Sequence, residues 1–566
     1  MIVGIDLGTT NSAVAIWRDG APRLIPNSLG DLLTPSAVSV TEDGSVLVGL
    51  AARDRQPTHP ADTATAFKRQ MGTKQQAMLK GKPYTAEDLS SLVLRSLKAD
   101  AEAFLGEEVT QAVITVPAYF NDRQRRATKR AGELAGLKVE RLINEPTAAA
   151  LAYGIHERAD KQPFLIFDLG GGTFDVSIVE IFEGIIEVRA SAGDNRLGGE
   201  DFNDILSELA RSRLPKLGPW ARDSLLREVM RAAAERCRRA LTNADLATFS
   251  FVWQDEAYET EVTAADFEAA AEPLIARLRE PVLRSLRDSG IVSDSLSEII
   301  LVGGSTRMPI VRKAVTRMFG RFPDMSVDPD HAVALGAAVQ AGLRARDADL
   351  EEIRLTDVCP FTLGVGSAEF DRNGFLHRDI FSPIIERNTI IPASRVHPFF
   401  TIADNQSKVS FTVYQGEARN VTANVKLGEI TVAVPAKPAG QVRIDCRFSY
   451  DASGLLEVDV TVPETGVTRQ LVIHDEEDAT DDAALARRRE ALATLKIHPR
   501  EEAANAALFA RVTRCYESFL GERRDYVGQL ILSFEAVMER QDPREIENVR
   551  KQIEEQLDVL EGERFL

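Results

Sequence analysis

Two short segments of this chain carry the same set of reactive groups. Ile5-Asp6-Leu7-Gly8-Thr9-Thr10-Asn11-Ser12 returns 162 positions later as Phe167-Asp168-Leu169-Gly170-Gly171-Gly172-Thr173-Phe174-Asp175. Each copy sets an aspartate at the end of an apolar run and follows it with a Gly/Thr turn. Glycines let backbone N–H groups approach phosphate oxygens with no Cβ in the way. Threonine hydroxyls add donors, and the aspartates can hold hydrated Mg²⁺. Such a turn on its own is only a tight turn. Two copies suggest related halves gripping one triphosphate. A third apolar run, Ile299-Ile300-Leu301-Val302, ends in Gly303-Gly304-Ser305-Thr306-Arg307. Paired glycines there admit a flat adenine ring, with Arg307 stacking on it.

The elements that must hold these groups can be read from texture. Up to about residue 350, short β-branched runs at 2–5, 112–116, 164–167 and 298–302 are each followed by Gly or Pro and an Ala-rich helical stretch. That alternation predicts α/β construction with buried strands. From Asp357 the period changes to two: Val409, Phe411 and Val413 alternate, as do Val442, Ile444, Cys446 and Phe448, and Leu456, Val458, Val460 and Val462 behind a 451–454 turn. Period two at short intervals predicts an antiparallel sandwich. After the acidic run at 475–478, read as a solvated linker, Leu508, Val512, Cys515 and Phe519 share one helical face, as do Ile546, Val549, Ile553, Leu557 and Leu560.

Composition bounds the reading. The 566 residues allow roughly four structural units. A net charge of −18 disfavours nucleic acid and anionic membrane as partners. Cys237, Cys359, Cys446 and Cys515 form no pair motif, which fits free thiols in a reducing cytoplasm. The scattered histidines argue against a zinc cluster, and neither a membrane span nor a signal peptide is expected.

The ordered set GIDLGTTNS, VPAYFND, NEPTAAA, DLGGGTFD, LGGEDF and LVGGSTRMP resembles the seventy-kilodalton heat-shock chaperones, within the ATPase superfamily that also holds actin and the sugar kinases. DVCPFTLGV, SPIIERNTIIP, ADNQSKV and YQGE extend the resemblance, which weakens in the helical tail. Compact length, a short loop near 245–260 and a polar linker make the HscC-type subgroup the nearest match, ahead of the main DnaK-type chaperones. The resemblance implies a multidomain α/β actin-like ATPase domain of two related halves (1–352), a linker (353–356), an antiparallel β-sandwich that holds peptide (357–475) and a short α-helical, abbreviated lid (476–566).

It also implies roles by position. Asp6, Glu145, Asp168 and Asp175 would ring Mg²⁺ and the attacking water, with Asp6 and Asp168 holding the metal through water. Lys68 would reach the γ-phosphate, and Thr173 would lie beside the water. Gly8, Thr9, Thr10, Asn11, Gly170, Gly171 and Gly172 would contact phosphates; Gly198, Gly199, Glu200, Gly303, Gly304, Ser305, Arg307 and Asp330 would frame the nucleotide. Glu235, Arg238 and Thr242 would clasp adenosine, where the family usually has Lys and Ser at the last two. Pro117 and Arg125 would relay nucleotide state, and Arg141, Asn144 and Asp357 would meet a J-domain partner. Phe361, Leu363, Val365, Phe399, Val409 and Phe411 would line the peptide pocket under an arch of Ala368 and Ile402, several also serving as sandwich core.

The implied cofactors are ATP/ADP and Mg²⁺, with K⁺ a further candidate. The partners are unfolded or specific client polypeptides and a J-domain co-chaperone, and the need for an exchange factor is open. The linker, Ile353-Arg354-Leu355-Thr356-Asp357, replaces half of the usual aliphatic surface, so weaker docking is expected. The rival readings are a sugar or metabolite kinase on the same core and a filament-forming actin-like ATPase.

Overall fold

The computed structural model describes residues 1–154, 162–182, 185–214, 223–254, 256–345, 354–370, 376–451, 454–473 and 503–562. Ile353 of the linker, the acidic run at 475–478 and the middle of the 451–454 turn lie outside the described residues, as does the 476–502 part of the helical tail. The chain falls into two compact units, Met1–Pro360 and Phe361–Leu566.

The sequence repeat is a repeat of topology. Strand Ile2–Asp6 runs parallel to Gln111–Val116 and antiparallel to Asn11–Arg18, which pairs with Ala21–Ile25. Strand Phe164–Leu169 runs parallel to Ile299–Val302 and antiparallel to Phe174–Phe182, which pairs with Ile185–Asp194. Asp6 and Asp168 therefore occupy equivalent strand ends in two sheets of the same order and direction. Central strands of this kind are covered on both faces, which explains their unbroken apolar runs. One core gathers Val3, Ile5, Val93, Leu97 and Ile114; another gathers Leu165, Phe167, Phe202, Met230 and Leu278. Between them lies a third cluster that includes Ala148, Ala149, Ile166, Val302 and Ala332. Helices Glu145–Ala152 and Ala332–Ala345 reach this seam on small side chains, which permits close approach.

Strand Arg354–Val358 joins the second sheet, parallel to Ile185–Asp194, with Leu355 opposite Ile186. The stretch expected to dock weakly is thus held by strand pairing, which needs backbone groups and not aliphatic side chains.

The stretch at 245–260 is not the short loop expected. It is an antiparallel hairpin, Leu246–Trp253 with Glu256–Thr263. Ala247, Phe249 and Phe251 point inward, but Leu246 and Val252 on the exposed face blur the alternation that would have revealed it.

In the second unit, two four-stranded antiparallel sheets form the expected sandwich. Their orders are Leu376–Ile385, Leu363–Phe370, Lys408–Gln415, Val425–Ala433, and Ala393–Phe400, Arg443–Tyr450, Leu456–Val462, Val467–Ile473. Helices Ala503–Ser518, Glu522–Arg540 and Pro543–Gly562 enclose Leu508, Val512, Cys515, Phe534, Ile553 and Leu557, as the two apolar stripes predict. All four cysteines are buried free thiols. Among the described residues no helix is long and apolar enough to cross a membrane.

Candidate functional site

Both repeat turns open into one cavity of about 390 Å³ in the first unit. Asp6, Gly8, Thr9, Thr10 and Asn11 line it from one sheet, and Asp168, Gly170, Gly171 and Thr173 from the other. Lys68, Glu145, Arg238, Thr242, Gly303, Gly304, Ser305, Arg307 and Asp330 complete most of the wall. The second turn is fixed from behind: Gly199 N–H donates to Gly170 O at 3.0 Å, Glu200 N–H to Gly171 O at 2.8 Å and Ser305 Oγ to Gly170 O at 2.8 Å. A Cβ on Gly171 would collide with Thr10 Oγ1, so the two turns can face each other only with glycine there. Gly303 closes its strand at φ 83°, in the left-handed region that suits glycine. The two glycine turns expected at a phosphate are therefore brought together on the wall of one cavity.

The floor of the cavity concentrates negative charge. Lys68 is 2 % exposed and donates to Glu145 Oε1 at 2.8 Å. Asp6 accepts from Thr115 Oγ1 at 2.9 Å, and Asp175 Oδ1 accepts from Tyr119 N–H at 3.2 Å. Asp168 Oδ2 and Asp175 Oδ2 are buried with no hydrogen-bond partner. Burial first, then the Glu145 charge, pushes Asp6 up to about 7 and Asp175 up to about 8, and raises Asp168 well above the usual carboxylate range. Four carboxylates against one ammonium in a buried site call for a cation. Among the described residues no three His, Cys, Asp or Glu side chains converge to ligate one directly. The set fits a cation held through water, as Mg²⁺ commonly is.

A family model described as Hsp70 protein matches residues 2–80 and 73–562. The chain belongs to the Hsp70 family. Hsp70 proteins are ATP-dependent chaperones that use ATP with Mg²⁺, bind unfolded clients and work with J-domain co-chaperones.

Around this Hsp70 cleft the remaining site residues separate into three groups. At the end of the cavity where adenosine is expected, Arg238 donates to Asn203 Oδ1 at 2.9 Å and Thr242 Oγ1 to Arg238 O at 3.2 Å. Arg307 is fixed by Asp330 at 2.7 Å and Asp328 at 2.5 Å. Glu235 and Glu200 lie outside the main cavity, on a smaller one beside it, where Glu235 pairs with Arg239. Gly172, Gly198, Gly199 and Asp175 sit behind the wall and not on it.

The second group leads away from the phosphates. Arg125 donates to Ala118 O, Phe120 O and, at 2.7 Å, Asn144 Oδ1, which ties the turn after Pro117 to Asn144. Asn144 Nδ2 donates to Asp357 Oδ2 at 2.5 Å, and Arg141 donates to Gln340 at 3.3 Å. Burial lowers the Arg141 pKa, opposed by the Asp357 charge. Glu145 and Asn144 are consecutive, so one residue faces the cleft and its neighbour holds the Arg354–Val358 strand.

The third group lies in the sandwich. Leu363, Val365 and Phe411 are buried core, whereas Phe361, Ala368, Phe399, Ile402 and Val409 are half-buried. Phe399 packs on Phe411 with ring centroids 5.1 Å apart.

Sequence reasoning missed Leu33, Arg239, Asn243, Pro329 and Val333 on the cavity wall. It also missed Arg69, which donates to Gly172 O at 3.0 Å and pairs with Asp201, bridging the two halves. Its position beside Lys68 was the available signal.

Proposed function

We propose that this Hsp70 chain binds short extended apolar segments of client proteins in its sandwich and that ATP hydrolysis switches its affinity for them. The observation that carries this is the step from Glu145 on Lys68 to Asn144 on Asp357: the cleft and the strand leading to the sandwich are joined through adjacent residues. Water attacks the γ-phosphorus, the bond to the ADP oxygen breaks, and a buried carboxylate takes the proton. Bound Mg²⁺ would neutralise charge on the phosphates. Lys68 stabilises the charge that builds on the γ-phosphate, Thr173 orients the water, and the 8–11 and 170–173 turns fix the phosphates. Glu235, Arg238 and Thr242 hold adenosine, with Arg307 and Asp330 across from them.

The functional boundaries we assign are 1–352, 353–356, 357–475 and 476–566. Asp357, Asn144 and Arg141 form the J-domain contact, Pro117 and Arg125 the relay. The subgroup is HscC-type, the compartment the cytoplasm, and K⁺ a second ion beside Mg²⁺. A kinase on the same core has no use for a sandwich and helical tail, and the family match running to residue 562 weighs against it.

The test is the dissociation rate of a labelled, Leu-rich extended peptide from the full chain in ATP and in ADP. Acceleration by ATP of about tenfold or more is expected. Binding without nucleotide dependence would sink the switch, and absence of binding would sink the peptide site.

A further inference from the structure

Among the described residues, strand Ala393–Phe400 is an edge of its sheet and pairs on one side, with Arg443–Tyr450. In an antiparallel pair alternate residues turn their N–H and C=O toward the partner or away from it. Two observations fix the phase. Thr401 N–H donates to Val442 O at 3.2 Å, so position 401 faces inward and 400, 398 and 396 face outward. Pro398, with no N–H to give, sits at an outward position, where an edge strand tolerates proline.

One outward residue is already occupied. Gln541 Nε2 donates to Val396 O at 3.2 Å, and Gln541 Oε1 accepts from Val396 N–H at 3.4 Å. A single carboxamide thus answers both backbone groups of one residue, as an added strand would. Gln541 is 7 % exposed and is held at φ 55°, in the left-handed turn between Glu522–Arg540 and Pro543–Gly562. The next residue, Asp542, sets its negative charge against half-buried Arg395. On the far side, Ile402 N–H is taken by Gln406 Oε1 at 3.1 Å.

We propose that Gln541 is a built-in stand-in for a guest strand, capping the edge at Val396 and confining main-chain pairing to the 398–400 stretch. This rests on reading the sandwich as the peptide site. The guest is then a short extended segment, paired through Pro398 C=O and both groups of Phe400, with an apolar side chain beside Phe399 and half-exposed Phe400. A longer segment must displace the turn at Gln541.

The experiment compares the full chain with Gln541→Gly, which keeps the left-handed turn easily, and Gln541→Glu, which keeps size and loses the donor. Hydrogen exchange of the Val396 amide is read without peptide, and binding is measured for four- and nine-residue Leu-rich peptides. Val396 exchange is expected to be roughly tenfold faster in Gln541→Gly, which removes the acceptor of its N–H, and little changed in Gln541→Glu, whose carboxylate still accepts that N–H and loses only the bond to Val396 C=O. The nine-residue peptide should bind several-fold more tightly to Gln541→Gly, with the four-residue peptide unchanged. Equal Val396 exchange in Gln541→Gly and the unsubstituted chain overturns the cap, and equal gains for both peptides overturn the length limit. If no peptide binds any of the proteins, the peptide-site reading and the length limit fall together, while Val396 exchange still decides the cap.

Discussion

At the scale of single residues, the decisive feature is a buried ammonium among carboxylates. Lys68 lies 2.8 Å from Glu145 and 5.6 Å from the centre of the Phe120 ring, so its charge is directed into the cleft and shielded from water. Shielding strengthens its action on a phosphate. Lys68→Ala should lower single-turnover hydrolysis by about 10²–10³-fold, since it removes a preorganised cation from the developing charge. Nucleotide affinity should stay within about tenfold, because the two glycine turns remain. A fall of less than threefold in turnover would show that Lys68 does not serve the reaction.

At the scale of elements, the strand proposed to couple cleft and sandwich is one that the sequence pattern understated. Arg354–Val358 pairs with 185–187 through its backbone, and Asp357 adds the bond to Asn144. Leu355→Pro removes an N–H and restricts the preceding residue, which should free the strand. Acceleration of peptide release by ATP should then fall to nearly onefold while basal hydrolysis persists; retained acceleration would place the coupling elsewhere. Much of this architecture was legible. The Asp6 and Asp168 turns announced twin sheets because their residue types are dictated by local chemistry, and the stripes through Leu508 and Ile553 announced packed helices because burial follows the helical period. Other features were not legible. Lys68 and Glu145 are 77 positions apart, Arg69 acts on a loop more than a hundred residues away, and Gln541 acts 145 positions away. None of these contacts leaves a periodic trace. The 246–263 hairpin was hidden because exposed Leu246 and Val252 disguised its polar face.

At the scale of the whole molecule, two units with separate cores should unfold separately. MgATP at a hundred times its dissociation constant should stabilise the first unit by about 2.7 kcal/mol and leave the second unmoved, a difference that calorimetry resolves as one shifted transition out of two. A single transition moving as one would mean that the units are bound together more firmly than their cores require. The strand edge under Gln541 matters here too, for a different reason. An uncovered edge is a template on which another copy of the same chain can pair. With Val396 occupied and proline withholding a donor at 398, the remaining edge offers too few groups for two copies to join side by side. One glutamine and one proline thus keep this edge from serving as a template for a second copy of the chain.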